Sequence, residues 1–596
     1  MHKIKILPVY PKFPLTFWSF KSAVEYIGKK AVMPPTGLAT VLAMLPEEHF
    51  DIQRIIDLNV EPLTDKQIKQ ADMIFTSTMI VQENSHNEII KRVHKLGKKV
   101  VAGGPFPTSY PERCNADYIV AGEAELTLAP FLSDLLNGNP RRIYAEKDIS
   151  AEKPSLSNTP VPRLDLLKMS EYSSASVQYS RGCPFNCEFC DITALFGRVP
   201  RTKTPHQMVQ ELEAILASNH RGGVFILDDN FIANRKNLRQ FLPVLIDWQR
   251  NHRYPFRFGT EASMDLAWEE NRDILESMVE AGIDDVFLGI ENPDPDTVKS
   301  MNKPQNTKIP PLEAVRIIQN AGIKVTGGFI VGSDGDKKTV FEDLFRFIQD
   351  AGIVIPMPGL LGALKGTPLY SRLEQEGRLK MDSKGDNTHH LSFNFETKLD
   401  SRFLTEGYAG LLSQLFNAKN YYQRCRTQQE YLGKSILPRI VGKAEVSAFF
   451  KSMSRQLFAP GGREYARFLA HTILTRPSKF PTAVEHGVKF DHFSKLTRAA
   501  LGVRQYEHQA NSMYERFKVR AQEVYARYSA GIQSASSAAE DKVHQLANKI
   551  ISKAERRYNR LHHDFREDAR KTLEDLKARV YAEIDNFRMK RPSPAS

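Results

Sequence analysis

At 596 residues the chain is too long for a single domain, and its 41% apolar content is enough to build several hydrophobic cores. Five cysteines, no run of about 18 apolar residues and no apolar leader predict a cytoplasmic enzyme, and they exclude a disulfide-rich secreted domain or a transmembrane helix. Of the net charge of +12, about +7 belongs to residues 491–596, so the basic character lies in a tail and not in a catalytic body.

Residues 1–145 alternate apolar strands with helical stretches. The predicted strands are residues 4–9, 51–57, 73–78, 99–103 and 118–121, and the predicted helices are residues 37–45, 65–70 and 83–96. This alternation predicts an α/β fold, a doubly wound parallel sheet with helices on both faces. Ligands of such sheets bind at the carboxyl ends of the strands. The candidate ligand residues at that edge are Ser77, Met79, Ile80, Gln82, Gly103, Gly104, Pro105, Gly122 and Glu123.

Beyond a linker rich in Pro and Ser at residues 146–170, Cys183, Cys187 and Cys190 form a C-x3-C-x2-C motif. Three thiolates this close are typical of ligands to a metal centre and not of disulfide partners. They leave one iron of a four-iron cluster without a protein ligand. An open metal position is where the chemistry of a metal site usually takes place.

A structural zinc site is the alternative interpretation of the motif. Such a site needs four ligands, whereas Cys114 and Cys425 are isolated in the sequence and no histidine lies between Tyr118 and Pro205. The same two isolated thiols argue against a second four-iron cluster. We therefore favour a single iron–sulfur centre over zinc.

Residues 171–380 contain six strand-like runs separated by helical runs. The predicted strands are residues 176–180, 223–228, 256–261, 285–290, 324–331 and 359–364, and two of the predicted helices are residues 205–218 and 237–251. Six β/α units predict a partial (β/α)6 barrel with its chemistry at the carboxyl ends of the strands. The candidate residues there are Asp228, Asp229, Asn230, Glu261, Ser263, Glu291, Ile330 and Gly332. A carboxylate such as Glu291, placed after a buried strand, needs ribose hydroxyls or a cation as partner.

The remaining chain is predicted to be helical, as a domain at residues 381–490 and a basic amphipathic tail at residues 491–596. Six aromatic residues of the domain either line an apolar substrate site or, more often for aromatics, fill a core: Phe393, Phe395, Tyr408, Phe416, Tyr421 and Tyr422. The tail has an interruption at residues 531–537, followed by an apolar stripe of Val543, Leu546, Ile550, Ala554 and Tyr558. This pattern predicts a helical hairpin or coiled coil. The tail is either a plain solvated helix or a segment for docking, oligomerisation or contact with an anionic membrane. Acidic residues interspersed among the basic ones disfavour binding to nucleic acid.

The cysteine motif, with Phe189 before its last cysteine, resembles that of the radical S-adenosylmethionine (SAM) enzymes. The resemblance implies a [4Fe-4S] cluster held by Cys183, Cys187 and Cys190, with SAM on the fourth iron and cleaved to a 5′-deoxyadenosyl radical. It also implies that SAM is bound by Phe189 and by the strand-end residues Asp228, Asp229, Asn230, Glu261, Ser263, Glu291, Ile330 and Gly332.

An α/β domain in front of such a core resembles the cobalamin (B12)-binding domain of the B12-dependent radical SAM enzymes. The resemblance implies that the nine edge residues named above bind cobalamin. The D-x-H-x-x-G motif that supplies a histidine to cobalt in other B12 proteins is absent, and the matching loop runs from Met79 to His86. Radical SAM relatives usually lack that histidine too. A vestigial domain that binds no cobalamin is the alternative interpretation.

Over residues 1–430 the chain looks most like hopanoid C-2 methylases and their relatives. The matching stretches are residues 192, 195–198, 228–231, 234–236, 261–262, 289–291 and 367–369. The family is broad, so the resemblance does not identify a substrate.

The resemblance implies a B12-dependent radical SAM methyltransferase that methylates an unactivated carbon of an apolar, lipid-like substrate through methylcobalamin. A radical is needed because such C–H bonds are too weakly acidic for removal by a base. The expected partners are the substrate and an electron donor such as flavodoxin or ferredoxin, with peripheral membrane contact through the tail. No side chain is assigned as catalytic. Two alternatives stay open: a radical enzyme that cyclises, rearranges or oxidises its substrate, and a non-catalytic cobalamin or cluster sensor.

Overall fold

The computed structural model describes residues 3–383, 385, 388, 391–435, 437, 442–528 and 534–589. The chain divides into two compact units, residues 1–493 and 494–596. Among the described helices, none combines the length and the apolar content that crossing a membrane requires.

A seven-stranded parallel sheet begins the first unit. Its strands are β1 (Ile4–Tyr10), β2 (Phe50–Ile52), β3 (Ile56–Asp57), β4 (Met73–Ser77), β5 (Lys99–Gly103), β6 (Tyr118–Ala121) and β7 (Ile143–Ala145), in the order β2-β1-β4-β5-β6-β7 with β3 also on β1. The helices of this region are α1 (Lys21–Val24), α2 (Thr36–Ala43), α3 (Asp65–Gln70), α4 (Glu83–Lys95), α5 (Pro105–Ser109) and α6 (Ala124–Leu136). The central strands are near-continuous apolar runs because both of their faces are buried.

The predicted strand at residues 51–57 is wrong in one respect, because the structure has two short strands there. The Gln53 amide still bonds to Ile6 on β1, but the Ile55 amide donates to the Leu166 carbonyl and leaves the ladder. Strand β7 comes after the last strand predicted from the sequence. It pairs with β6 and extends the same sheet by one strand. The doubly wound α/β fold is confirmed.

A second parallel sheet, of six strands in sequential order, forms the partial barrel. Its strands are β8 (Ser174–Val177), β11 (Gly222–Ile226), β12 (Phe256–Ala262), β13 (Ile283–Glu291), β14 (Lys324–Val331) and β15 (Pro356–Leu360). A short antiparallel pair, β9 (Ser180–Arg181) and β10 (Arg201–Thr202), lies between the first two. The helices are α7 (Ile192–Phe196), α8 (Pro205–Ala217), α9 (Arg235–Asn251), α10 (Arg272–Glu280), α11 (Pro295–Ser300), α12 (Pro311–Ala321), α13 (Val340–Asp350) and α14 (Pro368–Gln375).

Two predicted barrel strands are displaced along the sequence. The last strand begins at Pro356 instead of residue 359. It is an edge strand, and such a strand tolerates prolines where the missing N–H groups would face away from the neighbouring strand, as we infer for Pro356 and Pro358. The first strand ends at Val177, and Ser180 belongs to the separate β9.

Helices complete both units. They are α15 (Ser401–Leu415), α16 (Ala418–Tyr431), α17 (Lys443–Gln456), α18 (Gly462–Thr475), α19 (Phe480–Tyr528), α20 (Ser534–Tyr558) and α21 (Arg566–Met589). All six aromatic residues of residues 381–490 considered above are buried, which supports the core interpretation. In the second unit, α20 packs on α21 with Val543 and Ala554 buried and the other three stripe residues half-buried. Of the predicted interruption at residues 531–537, residues 531–533 lie outside the described residues, and α20 already begins at Ser534.

Candidate active site

The three cysteines lie in a loop that the β9–β10 pair closes. Arg181 on β9 stands opposite Arg201 on β10, and the Cys183 amide donates to the Gly197 carbonyl at 3.3 Å. Gly182 has a φ of +94°, and a Cβ there would lie 3.0 Å from the carbonyl oxygens of Gly197 and Val199. Only glycine therefore fits this position, directly before the first cysteine.

The thiols of Cys183, Cys187 and Cys190 are free and half-buried. Burial raises the pKa of all three, that of Cys190 to about 12. In the described residues no three His, Cys, Asp or Glu side chains converge as ligands of a single metal ion. Thiolates that each bond a different iron of one cluster need not converge, so the donor set fits a [4Fe-4S] group.

Two side-chain amides point at the cysteine sulfurs. Gln305 Nε2 lies 3.7 Å from the Sγ of Cys187, and Asn230 Nδ2 lies 4.0 Å from the Sγ of Cys183. The segment that carries Gln305 is held on the loop by the Asn302 amide group, which donates to the Asn186 carbonyl at 2.7 Å. Donors of this kind stabilise negative charge on the sulfurs of a bound cluster.

The predicted carboxylates after β11 and on β12 come together, but their surroundings differ. Asp228 is buried and accepts from the Tyr179 amide and the Ser180 hydroxyl, both at 2.7 Å, so it ties β11 to the start of the cysteine loop. Burial and the neighbouring Asp228 raise the pKa of Asp229 to about 7. Burial, followed by Asp229, raises the pKa of Glu261 to about 8. No cation or hydrogen-bond donor of the described chain contacts the Glu261 carboxylate.

Asn230 and Ser263 are also brought to the cluster side of the barrel. The Asn230 amide group donates to the Ser263 hydroxyl at 3.1 Å while it faces Cys183. Phe189 is half-buried in the cysteine loop, and Ile330 is buried on β14. Gly332 has a φ of +103°, and a Cβ there would lie 2.2 Å from the ring of Phe393. Gly332 therefore also makes room for an aromatic core residue.

Glu291 has the cation that its burial demands. It sits at a bulge of β13, with a φ of +64° that is unusual for a residue other than glycine. Lys303 Nζ donates to Glu291 Oε1 at 2.5 Å and to the Gly289 carbonyl at 2.8 Å. Although burial lowers the pKa of Lys303, Glu291 and the thiols of Cys187 and Cys190 raise it overall.

A cavity of ≈ 280 Å³ opens at the carboxyl ends of β4, β5 and β6, beside α2. Six of the nine residues predicted for cobalamin line it, namely Ser77, Gly103, Gly104, Pro105, Gly122 and Glu123. Met79, Ile80 and Gln82 are not among the lining residues. Gln82 instead holds its own turn, because its amide group donates to the Pro11 carbonyl at 2.6 Å and its Oε1 accepts from the Met79 amide at 2.9 Å.

The barrel supplies the other wall of the cavity. Its residues there include Gln178, Arg181, Phe196, Lys203 and Glu211. Lys203 and Glu211 form a buried ion pair, and Glu211 Oε2 has no hydrogen-bond partner in the described part of the chain. A mixed apolar and polar wall fits a ring that bears amide side chains, as cobalamin does.

His86 does not reach this cavity. It is fully buried, its Nε2 lies 3.0 Å from the Thr76 hydroxyl, and burial lowers its pKa to about 4. The ring is therefore a neutral core histidine, in agreement with the missing cobalt-binding motif.

A buried group of charges joins the cavity to the cysteine loop; we call Glu123, Glu125, Arg181 and Arg201 the junction cluster. Glu123, with its side chain 2% exposed, accepts from Arg181 at 2.8 Å and from both terminal nitrogens of Arg201 at 2.8 and 3.0 Å. Arg181 also donates to Glu125 at 3.0 Å. Glu123 was predicted as a cobalamin contact, and in the structure both of its oxygens are bonded to arginines of β9 and β10.

Glu261 makes the stability of the SAM-free protein depend on pH. Its pKa is about 8 in the folded chain against 4.5 when exposed, so the folded state binds the proton more tightly. Stability then falls as the pH rises from about 4.5 to about 8, by up to about 1.4 kcal/mol per pH unit. We expect Glu261→Gln to melt above the wild type, with a difference that grows from pH 5.5 to pH 9 in differential scanning calorimetry.

The control for this prediction is Glu269→Gln, a surface substitution whose melting difference is expected to stay constant with pH. A difference for Glu261→Gln that is the same at pH 5.5 and pH 9 would contradict the proposed titration.

Three family models match successive parts of the chain. Residues 29–132 match the B12 binding domain, residues 177–348 match the Radical SAM superfamily, and residues 367–508 match a domain of unknown function, DUF4070. An uncharacterized methyltransferase of Synechocystis is 40% identical over 425 residues, which is 71% of this chain and 78% of that protein. The hopanoid C-2 methylase of Rhodopseudomonas palustris is 36% identical over 64% of this chain and 72% of its own.

Two solved structures share the fold at low sequence identity. The cobalamin-dependent SAM radical enzyme OxsB with aqua-cobalamin bound superposes with a TM-score of 0.55 at 15% identity, covering 98% of this chain and 85% of its own. The radical SAM methyltransferase TsrM of Kitasatospora setae, with cobalamin and a [4Fe-4S] cluster bound, gives a TM-score of 0.54 at 14% identity, over 82% of this chain and 99% of its own.

Proposed function

Because the chain belongs to the family of B12-binding radical SAM methyltransferases, whose cofactors are a [4Fe-4S] cluster, SAM and cobalamin, we propose that it methylates an unactivated carbon of a rigid, apolar lipid. One observation carries this proposal. Arg181, two residues before Cys183, lines the cavity at the edge of the first sheet and bonds to Glu123 on the opposite wall. The cluster loop and the cobalamin cavity are thus neighbours, as methyl transfer between their contents requires.

The cluster residues act by holding and shielding. Cys183, Cys187 and Cys190 are the proposed iron ligands, and Gln305 and Asn230 donate to two of the sulfurs. When bound, the cluster, SAM and cobalamin together supply one-electron chemistry and a methyl group. The half-buried loop limits access of water to the site.

The SAM residues proposed from the sequence fall into two sets. Asp229 and Glu261 face the site without a cation, so they suit the ammonium group or ribose hydroxyls of SAM as donors. Asn230 and Ser263 are bonded to each other beside Cys183. The other five keep their proposed contact with SAM, although Asp228 and Glu291 already bond to protein groups. These five residues are Phe189, Asp228, Glu291, Ile330 and Gly332.

For cobalamin we propose the cavity walls described above, with Lys203 and Glu211 of the barrel added to the predicted residues. These two residues form a buried ion pair in the barrel wall of the cavity. Met79, Ile80 and Gln82 are weaker candidates than the sequence indicates, because they lie outside the lining of the cavity.

The substrate class follows from the relative that is 36% identical and named for its hopanoid substrate. We propose a polycyclic lipid of that kind for this chain. We also propose a division of the chain into five segments. Residues 1–145 hold cobalamin, residues 146–170 are a linker, residues 171–380 hold the cluster and SAM, and residues 381–490 cover the barrel. The basic tail, residues 491–596, is proposed to contact anionic lipid, which co-sedimentation with anionic vesicles tests.

The function is tested with the whole enzyme reconstituted anaerobically with iron, sulfide and hydroxocobalamin. It is then given a chemical reductant, SAM with a deuterated methyl group and a pentacyclic triterpene of the hopane type. We expect 5′-deoxyadenosine together with a triterpene in which one deuterated methyl group replaces one hydrogen, read by mass spectrometry. Flavodoxin or ferredoxin in place of the chemical reductant tests the proposed electron donor.

Two other results would contradict methyl transfer and identify the alternative. Deoxyadenosine with a product that has lost hydrogen and gained no methyl group indicates cyclisation or oxidation. No deoxyadenosine under strong reduction indicates a sensor without catalysis.

A further inference from the structure

A strained turn near the N-terminus, residues 16–20, presents a tryptophan to the barrel; we call it the Trp18 turn. Phe20 has a φ of +41°, a conformation that costs free energy for a bulky residue. The Ser19 amide and hydroxyl both bond to the Thr16 carbonyl, at 3.1 and 2.7 Å. Such strain persists only where the surroundings hold the backbone in place.

Two aromatic anchors hold this turn. Phe17 is buried, with its ring centroid 4.8 Å from that of Phe493. Phe20 stacks on His492 at 5.4 Å and meets Phe493 edge-on at the same distance. The residue between the anchors, Trp18, is therefore presented in a fixed position.

Trp18 contacts the barrel. Its ring lies 5.3 Å from that of Phe287 on β13, with the two planes 57° apart. The side chain remains 39% exposed, although burial is the usual state of a tryptophan in an aromatic group. The two rings form an apolar corner in which the Trp18 side chain stays partly accessible.

Strand register places this corner beside the proposed SAM site. Phe287 is the partner of Glu261 across the β12–β13 ladder, and paired residues of neighbouring strands point to the same face of a sheet. Phe287 and Glu261 are both partly accessible inside the barrel sheet. A Cβ on Gly328 would lie 2.8 Å from the Phe287 ring, so a glycine on the next strand gives the ring its room.

We propose that Trp18 and Phe287 form the binding surface for the hydrocarbon skeleton of the substrate, a fused-ring lipid. The inference rests on the proposed function, because it takes the neighbouring Glu261 as part of the SAM site. Aromatic faces bind rigid hydrocarbon by dispersion over a large area, and they lose little side-chain entropy in doing so. The substrate is then held against the barrel wall next to the place where hydrogen is removed.

The test measures equilibrium binding of a tritiated pentacyclic triterpene, delivered in cyclodextrin, to the reconstituted enzyme. Trp18→Ala is expected to weaken binding by about tenfold or more, as loss of an aromatic anchor does, and Trp18→Phe by about threefold or less. Both variants are expected to keep the wild-type iron and cobalamin content. Trp18→Gln, which keeps much of the side-chain volume without an apolar face, repeats the measurement if the alanine variant does not reach that content.

Phe403→Ala is the matched control, since Phe403 is 37% exposed and pairs with Phe341 at 5.6 Å on another part of the protein. It is expected to bind the triterpene as the wild type does. Trp18→Ala or Trp18→Gln with unchanged affinity, or a wild type that does not bind the triterpene, overturns the inference. Deoxyadenosine formation by the wild type and by Phe403→Ala is measured in parallel, and its absence from both overturns the proposed function separately.

Discussion

Cys187→Ala is expected to reduce 5′-deoxyadenosine formation to the level found without enzyme. Cys187 is the middle ligand of the proposed cluster and accepts from Gln305 at 3.7 Å. Its loss leaves two thiolates for a cluster that already has one iron without a protein ligand. We expect the variant to bind little iron after anaerobic reconstitution, and to show no cluster signal by electron paramagnetic resonance after reduction.

The matched control is Cys114→Ala, which also removes one thiol, but from a loop buried in the hydrophobic core beside the first sheet. It is expected to retain the cluster and deoxyadenosine formation, with a small loss of stability from the lost packing. Wild-type iron content in Cys187→Ala, or an equal loss in both variants, would contradict the assignment of the motif as the cluster site.

Glu123→Ala is expected to destabilise the first unit by about 3–5 kcal/mol, the usual cost of removing one partner from a buried ion pair. Arg181 and Arg201 have side chains only 13% and 14% exposed. Glu125 still faces Arg181 in the variant, whereas among the described residues Arg201 keeps only the carbonyls of Pro154 and Phe196. We expect an earlier first transition in guanidinium chloride and weaker cobalamin binding.

Glu269→Ala provides the comparison, because it breaks an ion pair with Arg272 that is largely exposed on both sides. Exposed pairs contribute little to stability, so its transition is expected to coincide with that of the wild type. A Glu123→Ala transition that also coincides with the wild type would contradict the structural role of the junction cluster.

Local signals in the sequence predicted the elements well. Helix α3 begins where Thr64 and Gln67 form a capping box, and α8 begins in the same way at Thr204 with Pro205 in its first position. The spacing of the three cysteines predicted ligands of one metal centre, and the structure carries all three cysteines in the loop between β9 and β10. Such patterns are carried by residues a few positions apart, so the chain itself displays them.

Partners that are distant along the chain were missed. Lys303 reaches Glu291 from a polar loop with no pattern of its own, and Glu211 reaches the cavity from a helix of the barrel. Glu123 was assigned to cobalamin because it follows a strand, yet its partner Arg201 is 78 residues away. Only the packing of the two sheets decides these contacts, and burial then decides their strength.

The junction cluster also bears on how the protein matures. Arg181 and Arg201 close the cysteine loop as opposite residues of one short ladder, and both hold the same carboxylate at the rim of the cavity proposed for cobalamin. Any ordering of the loop by iron–sulfur insertion therefore also orders that rim, and the reverse holds. Linkage requires the two effects to be equal: the factor by which cluster insertion tightens cobalamin binding is the factor by which cobalamin tightens retention of the cluster.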